Sequence, residues 1–197
     1  MDRETIAVYD AKFEDYAKLT EQIKPSGSLL RFINAVREGG AVLDFGCGPG
    51  EAARAMSVAG LDVTALDASE GMISLVQKIP KVKAVHADFK WLQHSQAFDG
   101  IWANFALLHA EPEDLPGYLD AIVKALRPGG IFHLGMKVGQ GAGRDAMGRH
   151  YIYFSRSEFE LMLIERGFEI LYAREGEEKG LSGSLDPFVL LLSRLVD

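Results

Sequence analysis

The residues best suited to chemistry lie in one short stretch, Asp44 followed by Gly46, Gly48 and Gly50 at alternate positions. An acid ahead of a glycine turn can receive a positively charged group. Glycines let the backbone take positive φ and let a ligand approach the main chain closely. Asp67 stands 23 residues further on, the spacing at which nucleotide-binding α/β folds place an acid against ribose hydroxyls. A charged carboxylate next to apolar Val42, Leu43 and Phe45 is costly to bury unless something pairs with it. His109, Tyr151 and Tyr153 are the side chains suited to proton transfer, and Arg144 could hold an anionic group. His109 reads equally as a helix-boundary histidine in contact with solvent.

Ala41 to Phe45 is too short and too apolar for a helix and reads as a buried parallel strand. The run Glu51 to Met56 reads as a helix, so the unit is strand, glycine turn, helix. A dinucleotide site wants a third glycine where Glu51 stands, and Asp44 and Glu51 would then flank a diphosphate with like charge. S-adenosylmethionine (SAM) has no phosphate and carries a cationic sulfonium and a cationic amino group, so Asp44 suits it. Cys47 inside the turn reads as a small filler. An ordinary glycine turn with a solvated aspartate is the bland alternative.

The pattern Asp44-x-Gly46-x-Gly48-x-Gly50 resembles motif I of the class I SAM-dependent methyltransferases. Asp67-x-Ser69-x-x-Met72, Ala87-Asp88-Phe89 and Leu126-Arg127-Pro128-Gly129-Gly130, about 80 residues past the glycine turn, match the family in order and spacing. The resemblance implies a doubly wound α/β fold with a mostly parallel seven-stranded sheet in the order 3-2-1-4-5-7-6 and helices on both faces. It implies SAM as cofactor and S-adenosylhomocysteine (SAH) as product. Cofactor contacts fall on Asp44, Gly46, Cys47, Gly48, Gly50, Asp67, Ala68, Met72, Asp88, Phe89 and Asn104. Asp88 would meet the adenine amino group, with Phe89 against the ring. The stretch Asn104-Phe105-Ala106 departs from the Asp/Asn-Pro-Pro-aromatic motif, which disfavours DNA bases and glutamine amides as acceptors. The remaining readings are a NAD-linked oxidoreductase and a non-catalytic SAM-binding protein.

The chain has 197 residues, 48% of them hydrophobic and 25% charged. That suits one domain over 1–197 with a sizeable core. The net charge of −7 disfavours a broad nucleic-acid footprint. A single cysteine forms no internal disulfide, which fits a reducing, cytoplasmic setting. No run is long enough to span a bilayer, and the N-terminus lacks an apolar leader segment.

Two helices are expected before Gly39, the second opened by Pro25, covering the cofactor site. Tyr9 and Tyr16 sit on the first and read either as core or as a cover over the cofactor. His133 and Lys137 read as edge or end positions of the fifth strand. The glycine-rich stretch 139–154 is expected as a loop acting as a substrate lid, with Arg144, Tyr151 and Tyr153 facing a partly hydrophobic small-molecule acceptor. Two terminal strands, Phe168 to Arg174 and Phe188 to Leu195, flank a long exposed hairpin, Glu175 to Asp186.

Overall fold

The computed structural model describes residues 2–20, 25–179 and 185–196. Seven strands form one sheet: β1 (Ala41–Phe45), β2 (Asp62–Asp67), β3 (Val82–His86), β4 (Phe98–Asn104), β5 (Leu126–Lys137), β8 (Phe168–Lys179) and β9 (Leu185–Leu195). Their spatial order is β3-β2-β1-β4-β5-β9-β8. With the sheet strands counted alone this is the expected order. The labels shift because β6 (Gly141–Arg144) and β7 (His150–Tyr153) form a separate hairpin. Pairing from β3 through β5 is parallel, and β9 runs antiparallel between β5 and β8.

Alternating side chains feed two cores, as a parallel sheet covered on both faces requires. Val42, Val63, Ala65 and Trp102 face α2 (Gly27–Ala35), α3 (Glu51–Val58) and α4 (Glu70–Val76) through Phe32, Met56 and Val76. Leu43, Leu66, Ile101 and Phe132 face α5 (Leu115–Ala125) and α6 (Arg156–Ile164) through Leu119, Ile122 and Phe159. Helix α1 (Arg3–Thr20) packs on α4, with the Phe13 ring against Gly71.

Local chemistry sets the element ends. The Ser69 hydroxyl accepts the Met72 N–H and starts α4. Ser155 and Glu158 form the capping box of α6. Ser26 caps α2, so Pro25 stands one residue ahead of the cap rather than inside the first turn. The turn Arg127 to Gly130 is a bulge within β5: Leu126 pairs with Phe98 and Ile131 with Gly100. Arg127 and Arg37 both reach Asp99, which also accepts the Ala41 N–H.

Three expectations are corrected. Residues 141–153 are a hairpin and not an irregular loop, because the Asp145 carboxylate accepts from the Met147 and Arg149 N–H groups and Gly148 takes φ +86°. The two terminal strands run further than expected, into the stretch expected as an exposed hairpin, with Glu175 to Lys179 paired to Leu185 to Val189. His133 lies in the middle of the sheet, between β4 and β9, and not at an edge.

Candidate active site

A cavity of about 390 Å³ opens at the carboxyl ends of the parallel strands, within the size range of small-molecule sites. Its floor is the glycine turn. Gly46 and Gly48 take φ +78° and +52°. A Cβ on Gly46 would run into the Ala106 side chain. Gly50, at φ +91°, begins α3 and is packed against Val76 and Ile79 rather than facing the cavity.

Asp44 is 2% exposed. The Ala53 N–H donates to it, yet its Oδ2 has no partner. Burial pushes its pKa up to about 8, opposed by that hydrogen bond and reinforced by neighbouring Asp67 and Glu51. Glu51, the first residue of α3, also lines the cavity and leaves Oε1 unpartnered. Burial raises it as well. Asp67 is held differently, with Oδ2 accepting the Gly48 N–H at 2.8 Å and Oδ1 the Ser69 N–H at 2.9 Å. Those bonds fix its carboxylate at the end of β2, where its remaining lone pairs can take hydroxyls. Burial raises its pKa against these donors.

Ala68, Met72, Phe89 and Cys47 line the same end, so a flat apolar ring has walls there. Burial pushes the Cys47 thiol well up, as expected of an inert filler. Asp88 does not line the cavity; it caps the short 3-10 turn Phe89–Trp91 by accepting the Lys90 N–H. Asn104 lies at the strand end and its Oδ1 accepts from the His133 Nε2–H at 3.0 Å. Phe105 follows in a left-handed conformation, φ +55°, the kind of strain that gathers at functional sites.

The opposite end is aromatic. His109 has both ring nitrogens engaged. Nδ1 is 2.6 Å from the His150 carbonyl oxygen, which can only accept, and this assigns the Nδ1–H tautomer. Nε2 then accepts from the Tyr9 hydroxyl at 2.8 Å. Burial holds the His109 pKa down at about 4. The Tyr9 oxygen in turn faces Arg149 Nη1 at 3.4 Å. Arg149 is 3% exposed, grips Asp145 through Nε and Nη2, and donates to the Tyr16 hydroxyl at 2.6 Å. The Tyr151 ring lies beside His109, with the Lys137 ammonium 4.0 Å above its centroid. That ammonium is also 2.6 Å from Asp186 Oδ2, an ion pair without hydrogen-bond alignment.

Of the residues expected from the sequence, Asp44, Gly46, Cys47, Gly48, Asp67 and Ala68 come together at one end. Met72, Phe89 and Asn104 line the cavity with them, and His109 and Tyr151 line its opposite end. Arg144 does not join it: it is held outside by Asp2 and Glu4. Tyr153 packs on Gly139 and does not line the cavity. Sequence reasoning left Glu51, Arg149 and Lys137 out of the site and Tyr9 undecided. For Tyr9 the signal was its helical face; for Arg149 there was none beyond a cation among aromatics.

Residues 42–130 match a family profile described as a methyltransferase domain. The chain is 33% identical over 136 residues to a cypemycin N-terminal methyltransferase from Streptomyces, covering 65% of this chain and 56% of that protein. It is 32% identical over 126 residues to a malonyl-[acyl-carrier protein] O-methyltransferase from Salmonella typhimurium, covering 61% and 47%. It thus spans about half the length of the curated relatives it matches. The fold is shared with a solved Burkholderia thailandensis 1,6-didemethyltoxoflavin-N1-methyltransferase at TM-score 0.76 and 21% identity, over 98% of this chain and 88% of that one. The architecture is the Rossmann-like methyltransferase fold. The likeness is thus to methyltransferases in profile, relatives and fold alike.

Proposed function

We propose that this chain transfers a methyl group from SAM to a small-molecule acceptor. The observation that carries the reading is the buried carboxyl of Asp44, its Oδ2 without a partner, facing the cavity beside Glu51 and Asp67. Such a set is unfavourable until a cation arrives, and a phosphate-bearing dinucleotide would worsen it. Asp67 suits the ribose hydroxyls, and Phe89 and Met72 suit the adenine faces. SAM supplies an activated methyl group on its sulfonium, open to in-line displacement.

The protein's part is to orient the acceptor, exclude water and take its proton. Tyr9 is the group placed for the last task. An acceptor hydroxyl or N–H donates to the Tyr9 oxygen while the Tyr9 proton moves to His109 Nε2. His109 therefore acts through Tyr9 and not directly on the acceptor, and Tyr151 serves as a wall. Helix α1 and the hairpin 141–153 enclose this end, tied by His150 N–H to Thr5 Oγ1 at 2.8 Å and by Arg144 to Asp2. That enclosure supports a small acceptor over a macromolecular one, and a lid role for these two elements within a single domain.

Titration calorimetry with SAH tests the reading, with NAD as a parallel ligand. Micromolar SAH binding, lost in Asp67→Ala and absent for NAD, is the expected result. NAD binding, or no SAH binding, would overturn it. Once a metabolite screen yields an acceptor, Tyr9→Phe should lower kcat about 100-fold or more, the scale of lost proton transfer, with SAH affinity unchanged.

A further inference from the structure

The two carboxylates at the glycine turn carry more than the presence of a cofactor site. Asp44 sits on β1 with Oδ2 orphaned and almost no exposure. The charged and titratable groups facing it are Glu51 from α3, Asp67 from β2 and the Cys47 thiol in the turn. Asp10 of α1 acts on Asp67 from behind, hydrogen-bonded to Ser69. None of these is a cation. The two cations lining the cavity, Lys137 and Arg149, are each already paired, with Asp186 and Asp145. Arg54 lowers Glu51 only as a secondary influence behind burial. Among the described residues no group of three carboxylate, imidazole or thiol side chains converges as metal ligands. The counter-charge for Asp44 and Glu51 therefore has to come from an organic cation carried by the ligand.

We propose that Glu51 is a second carboxylate for the α-ammonium of the cofactor's methionine tail, and that Asp44 releases a proton when that ammonium docks between them. This rests on the SAM reading above and adds a binding residue and a proton to it. In the free protein burial favours the neutral acid at Asp44. An ammonium with three donors arriving at the orphaned Oδ2 and at Glu51 Oε1 favours the ionised form, and the displaced proton leaves to solvent. Charge balances: one cation enters and one proton departs. Glu51 thus changes meaning, from the residue that excludes a diphosphate to the residue that selects an amino-acid tail.

The test is calorimetry of the full chain with two probes, SAH and 5′-methylthioadenosine, which shares the nucleoside but lacks the ammonium. Each is titrated at pH 7 in buffers of different ionisation heat. SAH should release most of one proton, because a group with pKa about 8 is largely protonated there. Its affinity should rise about tenfold from pH 6 to pH 7. Methylthioadenosine should release none and show no such rise, which also removes Asp67 as the source. Asp44→Asn should bind SAH with no proton release. Glu51→Gln, at a half-buried position, should weaken SAH about tenfold or more, the scale of a charge-assisted hydrogen bond, and leave methylthioadenosine unchanged. Equal SAH heats in all buffers, or Glu51→Gln binding SAH within about twofold of the parent, would overturn the proposal while leaving the cofactor reading intact. Failure of both probes to bind would overturn the cofactor reading and the proposal with it.

Discussion

Replacing His133 by phenylalanine and lowering the pH together isolate one buried proton. The imidazole is 1% exposed, stacks on Trp102 with centroids 3.7 Å apart, and donates to Asn104 Oδ1. Burial holds its pKa at about 3, against 6.5 for a free histidine. The folded pKa lies below the unfolded one, so the unfolded chain binds the extra proton. Stability is therefore full above pH 6.5 and falls as the pH drops toward 3. Between pH 7 and pH 5 the unfolded chain gains about three-quarters of a proton here and the folded chain almost none, worth about 1.9 kcal/mol. Phenylalanine keeps the flat stack and removes the titration. It also strands Asn104 Oδ1, so the variant should be about 1–3 kcal/mol less stable at pH 7. Every other titrating group, His109 and Asp44 included, is common to both proteins and cancels in the difference. Urea unfolding followed by circular dichroism at pH 8, 7, 6 and 5 should show the gap unchanged from pH 8 to 7. It should then move by about 1.9 kcal/mol in the variant's favour by pH 5, equivalent to about 4–8 °C in Tm. A gap independent of pH would refute the assignment of a neutral, buried His133.

Gly46→Ala should abolish SAH binding and lower stability by about 1–3 kcal/mol, because the new Cβ meets Ala106 at a left-handed backbone position. Ligand titration beside a melting curve checks both effects. Burial alone would raise the Asp99 pKa, but Arg37, the Ala41 N–H and Arg127 together hold its carboxyl below the usual range. Asp99→Asn should therefore cost about 2 kcal/mol at pH 7. That cost should shrink as the pH falls below about 4, where the unfolded parent takes up a proton at Asp99 before the folded one does, as parallel denaturant titrations would show.

How much could be read from the chain depends on sequence distance. Asp44, the glycines and Asp67 were legible because strand, turn and helix are local and the sheet places their ends side by side. Strand order came with the family resemblance, since apolar runs and turn signals locate strands without saying which lie side by side. The acceptor end was not legible. Tyr9 and His109 are 100 positions apart, and Arg149 lies 140 from Tyr9. Nothing in spacing announces that one helix and one hairpin meet over the sheet. The hairpin itself looked like a loop because Gly141 to Arg144 carries no β-branched residue. Its pairing comes from the Asp145 turn and from the apolar side of His150 to Tyr153. Asp88 went to a local cap for a related reason, since a carboxylate next to a free backbone N–H finds the nearest donor first.

The hairpin also divides labour along the polypeptide. The acidic, nucleoside end is built on Asp44, Glu51, Asp67, Met72 and Phe89, inside the stretch that matches the methyltransferase-domain profile. The aromatic end adds α1, Lys137 and the hairpin, all outside that stretch, to His109, which lies inside it. Floor and wall meet through Tyr9 and the His150 carbonyl on His109, Asp10 on Ser69 and the Phe13 ring on Gly71. Substitutions along residues 141–153 can therefore reshape the acceptor chamber while the carboxylates that hold the nucleoside keep their places.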